Sequence, residues 1–115
     1  MNSDHELSHI DWNWASWMLN QALIGAISPN FRFVELDFVD TKWVVRVTLG
    51  CEDEKDREEI LETCDQFAIY LIDVRDEISP QAYYAQIEAE IIISQAPIVM
   101  SPMPRATPVF RMRED

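Results

Sequence analysis

The chain has 115 residues, 48% of them hydrophobic, and 21 Asp and Glu against 9 Lys and Arg give it a formal net charge of −12. That length suits one domain. The charge argues against sequence-independent nucleic-acid binding, which neutralises phosphates with Lys and Arg, and against attraction to anionic membranes. Four Trp, five Phe and three Tyr are more aromatic material than a disordered chain carries.

The polar, acidic start Met1-Asn2-Ser3-Asp4-His5-Glu6 is the opposite of a signal peptide's basic and then apolar opening. No apolar run approaches the roughly 20 residues of a membrane helix. Cys51 and Cys64 therefore read as reduced thiols, Cys64 in a helix and Cys51 at a turn, and the expected location is the cytoplasm.

In chain order, the first expected element is a helix from about Asp11 to Ile27. Ser8 and Asp11 have capping-box spacing, and Trp12, Ala15, Leu19, Ala22 and Ala26 recur on one helical face. Ser28-Pro29-Asn30 ends it. Trp12, Trp14 and Trp17 cannot all face inward, so Trp14 or Trp17 is expected at the surface. Two strands follow. In Arg32–Asp40, Val34, Leu36 and Phe38 share one face and Glu35 and Asp37 the other. In Lys42–Leu49, Trp43, Val45, Val47 and Leu49 point inward, with Val44, Arg46 and Thr48 outward. Asp40-Thr41 is short enough for a hairpin, though it lacks the usual Gly.

A second helix spans about Asp53 to Asp73. Its acidic first turns suit the positive end of the helix dipole, and Ile60, Leu61, Cys64, Phe67, Ala68 and Leu71 make the inward stripe. Ser79-Pro80 closes the next connection. A third strand is expected over Tyr83–Ile93, with Ile87, Ala89, Ile91 and Ile93 on one face and Tyr84, Gln86, Glu88 and Glu90 on the other. Residues 96–115 hold four prolines and three arginines, and carry +1 where residues 1–95 carry −13. They read as an extended, strand-poor tail.

The order α-β-β-α-β gives an α/β domain over residues 1–95. A three-stranded, mostly antiparallel sheet carries both helices on one face. Spatial order 2-1-3, antiparallel throughout, is the first expectation; order 1-2-3 with the second and third strands parallel is the alternative. The other sheet face should be polar, acidic and solvated.

Catalytic motifs are scarce. His5-Glu6-Leu7-Ser8-His9 matches the H-E-x-x-H zinc pattern, but Ser8 falls where a helix should begin and no third histidine exists to complete a ligand set. Two glycines cannot make a phosphate-cradling loop, and the cysteines lack metal-site spacing. The reading is a non-enzyme with no metal and no cofactor. What stands out is negative charge, on the second helix (Asp56, Glu59 and Glu62) and on the outward sheet face (Glu35, Asp37, Glu88 and Glu90, with Tyr84). These eight residues are the candidate partner-binding positions, because an acidic surface with an aromatic anchor steers and grips a basic protein.

The stretch from Phe33-Val34-Glu35-Leu36-Asp37 through Trp43-Val44-Val45-Arg46-Val47 to the helix 52–73, in a short acidic chain, resembles bacterial immunity proteins of contact-dependent growth inhibition and polymorphic toxin systems. The resemblance implies a cognate toxin domain as partner, often a nuclease with a basic cleft, neutralised stoichiometrically inside the producing cell. It implies no direct contact with nucleic acid or membrane, and leaves a homodimer open. The competing reading is a small acidic secretion chaperone. Such a chaperone works as a homodimer and needs exposed apolar surface.

Overall fold

The structure is a computed structural model, which describes residues 7–97 and the backbone of 107–111. Its elements are α1 (His9–Leu23), β1 (Phe31–Val39), β2 (Lys42–Leu49), α2 (Glu54–Asp73), α3 (Pro80–Tyr84), β3 (Gln86–Ile93) and β4 (Thr107–Arg111). The expected α-β-β-α-β order is present, with α3 and β4 added to it.

Ser8 is the N-cap of α1. Its hydroxyl accepts from the Asp11 backbone N–H, and the Asp11 carboxylate accepts in return from the Ser8 backbone N–H. Within the H-E-x-x-H pattern Ser8 therefore sits outside the helix; His5 and Glu6 lie outside the described residues. The helix stops at Leu23, earlier than Ile27, because Ile24 (φ −60°, ψ 122°) and Gly25 (φ +87°) form a type II turn. That turn is closed by the Ala26 N–H on the Leu23 carbonyl at 2.9 Å. Glycine takes the positive φ without the clash a side chain would meet.

The β1–β2 hairpin forms with a two-residue turn, Asp40 (φ 53°) and Thr41 (φ 60°), both left-handed as a type I′ turn requires. Sheet order is β3-β2-β1-β4. β1 is antiparallel to β2 and to β4, and β3 is parallel to β2. The 2-1-3 arrangement is thus replaced by its alternative, strand three beside strand two. The physical reason is the connection: α2 and α3 carry the chain back along the sheet to the starting end of β2, the crossover a parallel pair needs. The place beside β1 belongs to β4, so the segment read as strand-poor contributes a ladder. The ladder shifts register between Val34 and Glu35, where β4 holds one extra residue, Val109, beside Pro108. Proline is confined to such places because it has no N–H to donate.

One core lies between the sheet and both helices. Val34, Leu36, Phe38, Trp43, Val45, Val47 and Leu49 face Ala15, Leu19, Ile60, Cys64, Phe67 and Leu71. Trp43 is its centre, fully buried and in edge-to-face contact with Trp12 (5.4 Å), Phe38 (4.9 Å) and Phe67 (6.1 Å). Its indole N–H donates to the Ala82 carbonyl of α3 at 2.9 Å, so the ring buries its area without orphaning its donor.

Two parts of the inward assignment change. Ala68 and Leu61 are exposed, Leu61 at 58%, because the buried stripe of α2 runs through Asp56, Ile60, Thr63, Cys64, Phe67 and Leu71. Leu61 lies about 100° around the helix from Ile60. Ile87 and Ala89, expected in the core, are half-buried at the sheet's edge. Strand three also begins later than expected. Ser79 N-caps α3 and Pro80 opens it, so Tyr83 and Tyr84 are helical.

Candidate partner interface

The sheet face away from the helices is organised around Arg46, with Lys42 at its end. In the register, Glu35 of β1 pairs with Arg46 of β2, and Arg46 pairs with Glu90 of β3, a row of three alternating charges. Asp37 and Glu88 flank Val44 in the next row. Arg46 reaches Glu35 at 3.4 Å and Asp37 at 3.5 Å, and hydrogen-bonds Glu90. Lys42 pairs with Glu88 at 2.7 Å.

This face is not the solvated acidic plane expected. Glu35 and Asp37 are buried, at 5% and 3% exposure, on a strand that is central in the sheet, between β2 and β4. Burial raises the pKa of the Glu35 carboxyl, against the pull of Arg46, and the like charges of Asp37 and Glu90 raise it further. Glu88 and Glu90, on the outer strand, remain exposed. Tyr84 is 78% exposed but stands on α3, its ring edge against Tyr83 at 4.7 Å. The sheet-face set therefore divides into a buried pair held by Arg46 and an accessible group.

The helix set divides too. Asp56 is buried, and the Asn30 side-chain amide donates to it at 3.0 Å. The same amide donates to the Cys51 carbonyl at 2.7 Å and accepts the Cys51 N–H at 2.9 Å. Asn30 thus ties the loop before β1 to the entry of α2, and Asp56 is committed to the fold. Glu59 is half-buried and lines a hollow with Ile27, Pro29 and Lys55, while Glu62 is exposed. Trp17, at 62% exposure, is the surface tryptophan of α1.

Three contributors were missed in the sequence: Arg46 as organiser, Asn30 as clamp, and the exposed apolar residues of α2. Arg46 had a usable signal, since an outward arginine on one strand of a β-hairpin opposite an outward carboxylate on the other invites pairing.

Among the described residues no cluster of three or more His, Cys, Asp or Glu could hold a metal ion, and no helix is long and apolar enough to cross a membrane. Both cysteines are free. Burial, with Asp65 adding to it, pushes the Cys64 thiol up to about 11, which removes it as a nucleophile near neutral pH.

A small α/β domain with an accessible acidic rim is suited to binding another protein. The family model of the MafI2 immunity proteins matches residues 13–114, and the chain belongs to that family. It is an immunity protein of a polymorphic-toxin-type system, and its partner is a cognate toxin. A comparison with curated proteins finds no match.

Proposed function

We propose that this immunity protein neutralises its toxin one to one and without turnover, by covering a basic surface of a nuclease-type toxin domain with its accessible carboxylates. The observation that carries the reading is the family match over residues 13–114; the net charge of −12 supplies the chemistry. A nuclease cleft is built to attract phosphates, and carboxylates on a rigid scaffold can compete for the same cations. Glu62, Glu88 and Glu90 are exposed and Tyr84 offers an aromatic anchor, whereas Glu35, Asp37 and Asp56 support the surface from within.

The test is titration of the toxin domain encoded beside this chain, followed by calorimetry and by cleavage of a nucleic-acid substrate. The expected result is a 1:1 complex that abolishes cleavage at equivalence. A toxin that stays active at saturation, or one with no nuclease activity that is still neutralised, overturns respectively the inhibition or the nuclease assignment.

A further inference from the structure

Among the described residues the sheet ends at β3, and β3 carries few of the features that keep an edge strand from pairing. Gln86-Ile87-Glu88-Ala89-Glu90-Ile91-Ile92-Ile93 contains no Lys and no Pro, and its ladder to β2 is continuous over eight residues without a bulge. Natural edges are normally blunted by one of these devices. The two charges present, Glu88 and Glu90, are bonded to Lys42 and Arg46 on the inner side. The direction of the free backbone groups follows from one hydrogen bond, since the Ser94 N–H donates to the Leu49 carbonyl. Even-numbered residues of this strand thus point their backbone groups at β2. Ile87, Ala89, Ile91 and Ile93 point theirs outward, and among the described residues no strand meets them.

A second observation lies alongside. Leu61, Ala68 and Ile72 are exposed, Leu61 at 58% and Ile72 at 48%. All three sit about 180–220° around α2 from Glu59. Glu59 faces the hollow beside the loop after α1, so these apolar residues lie on the flank turned away from α1. α2 packs over β3, which puts that flank above the open edge. Exposed Glu58 and Asp65 share the same side of the helix.

We propose that the outer edge of β3, roofed by Leu61 and Ile72 of α2, is where a strand of the toxin domain adds to the sheet, a strand alternating apolar residues with Lys or Arg. The inference rests on the immunity reading above. Main-chain bonds to Ile87, Ala89, Ile91 and Ile93 would supply affinity, and the alternation would supply specificity. Apolar side chains of the incoming strand fall under the α2 flank, and its basic ones fall beside Glu88 and Glu90 on the opposite face. Charge selects this occupant over a second copy of the chain. Two β3 edges paired about a two-fold axis at Ala89 would set Glu88 of each copy against Glu90 of the other, and would bring two acidic α2 flanks together.

The test is amide hydrogen exchange of the whole chain, alone and with an inactivated form of the toxin domain encoded beside it. In the free protein the amides of Ile87, Ala89, Ile91 and Ile93 should exchange fast, and those of Glu88, Glu90 and Ile92 slowly. In the complex the first set should slow by about 100-fold or more while the second changes little. A second arm is Ala89→Pro, which removes an outward N–H and no ladder bond, with Leu61→Glu as a variant remote from the ladder; each should weaken binding by about 100-fold. A complex whose outward amides keep their free exchange rates overturns the edge proposal and leaves the immunity reading standing. Absence of any complex overturns both. Slowing of the same amides with rising concentration of this chain alone assigns the edge to a second copy and overturns the toxin strand.

Discussion

Asp11 and Ser79, 68 positions apart, join two helix starts through one carboxylate. Asp11 Oδ1 accepts the Ser79 backbone N–H at 2.8 Å and Oδ2 accepts the Ser79 hydroxyl at 2.8 Å. The same hydroxyl oxygen accepts the Ala82 N–H that opens α3, and Asp11 also closes the capping box of α1. A buried carboxylate, 3% exposed, is tolerable here because three donors converge on it. The bond fixes α3 at the start of α1, and so sets where β3 begins.

Asp11→Ala should destabilise the protein by about 2–3 kcal/mol, since it strips charge-assisted bonds and leaves the Ser79 donors unpaired. Ser79→Ala should cost about 1–2 kcal/mol. In urea denaturation the double mutant should be less destabilised than the sum, with a coupling of about 1 kcal/mol or more. Additive losses would mean that the two residues act separately.

The Arg46 row has a pH signature. Burial is the main cause of the raised pKa of Glu35, and Arg46 opposes it. A folded pKa above the unfolded one contributes stability that is fully present below the unfolded pKa and is lost as pH rises through the folded value. Glu35→Gln cannot ionise, so its stability relative to wild type should improve between pH 3 and pH 7, a window set by that upward shift. Arg46→Met should show the reverse trend. It removes the cation between Glu35, Asp37 and Glu90, and its deficit should be small in acid and reach about 3 kcal/mol at neutral pH. Thermal or urea unfolding at both pH values measures each; parallel curves for wild type and Glu35→Gln would dismiss the shift.

The hairpin turn holds a threonine at φ 60°, a conformation poorly tolerated by β-branched residues. Thr41→Gly relieves that strain at the entropic expense of a more flexible unfolded chain. The gain should be about 0.5–1 kcal/mol, visible as a higher urea midpoint with an unchanged slope. The companion change Asp40→Gly should gain less, because Asp accepts this region more readily.

Period-two alternation made β1 and β2 legible, and the Ser8 to Asp11 spacing marked the start of α1. Trp43, Phe67 and Leu71 could be placed in the core because both helical and strand stripes pointed to them. Strand order was less legible. An apolar face fixes which way a strand turns and says nothing of its neighbour, so Tyr83–Ile93 fitted either side of the hairpin equally well. Ser79-Pro80 in sequence fits the end of a loop, but Ser at an N-cap with Pro at N1 equally opens a helix, and it does so here. The candidate site was legible as charge and illegible as exposure. Alternation places Glu35 and Asp37 on the right face, but their burial depends on β1 being central and on Arg46 lying opposite, both consequences of tertiary pairing. Leu61 failed for a simpler reason. Two adjacent helical residues, Ile60 and Leu61, cannot both occupy the centre of one stripe.

The division between buried and accessible carboxylates predicts which charges govern toxin capture. Glu62 and Asp65 are exposed on α2 and make no ion pair within 4.0 Å among the described residues, so reversing them should leave the fold intact. Glu62→Lys with Asp65→Lys should slow association with the toxin domain by about 10-fold at low salt, because steering acts on encounter more than on the formed complex. The difference should shrink as salt rises, since screening limits exposed charges to about 8 Å at physiological ionic strength. Glu35→Gln, by contrast, should change the association rate by less than about two-fold, its charge being already matched by Arg46 inside the sheet face. Stopped-flow mixing across a salt series measures all three proteins under one condition. A wild-type rate independent of salt would remove electrostatic steering from the account of capture. A Glu35→Gln effect as large as the α2 reversal would return the interface to the face organised by Arg46.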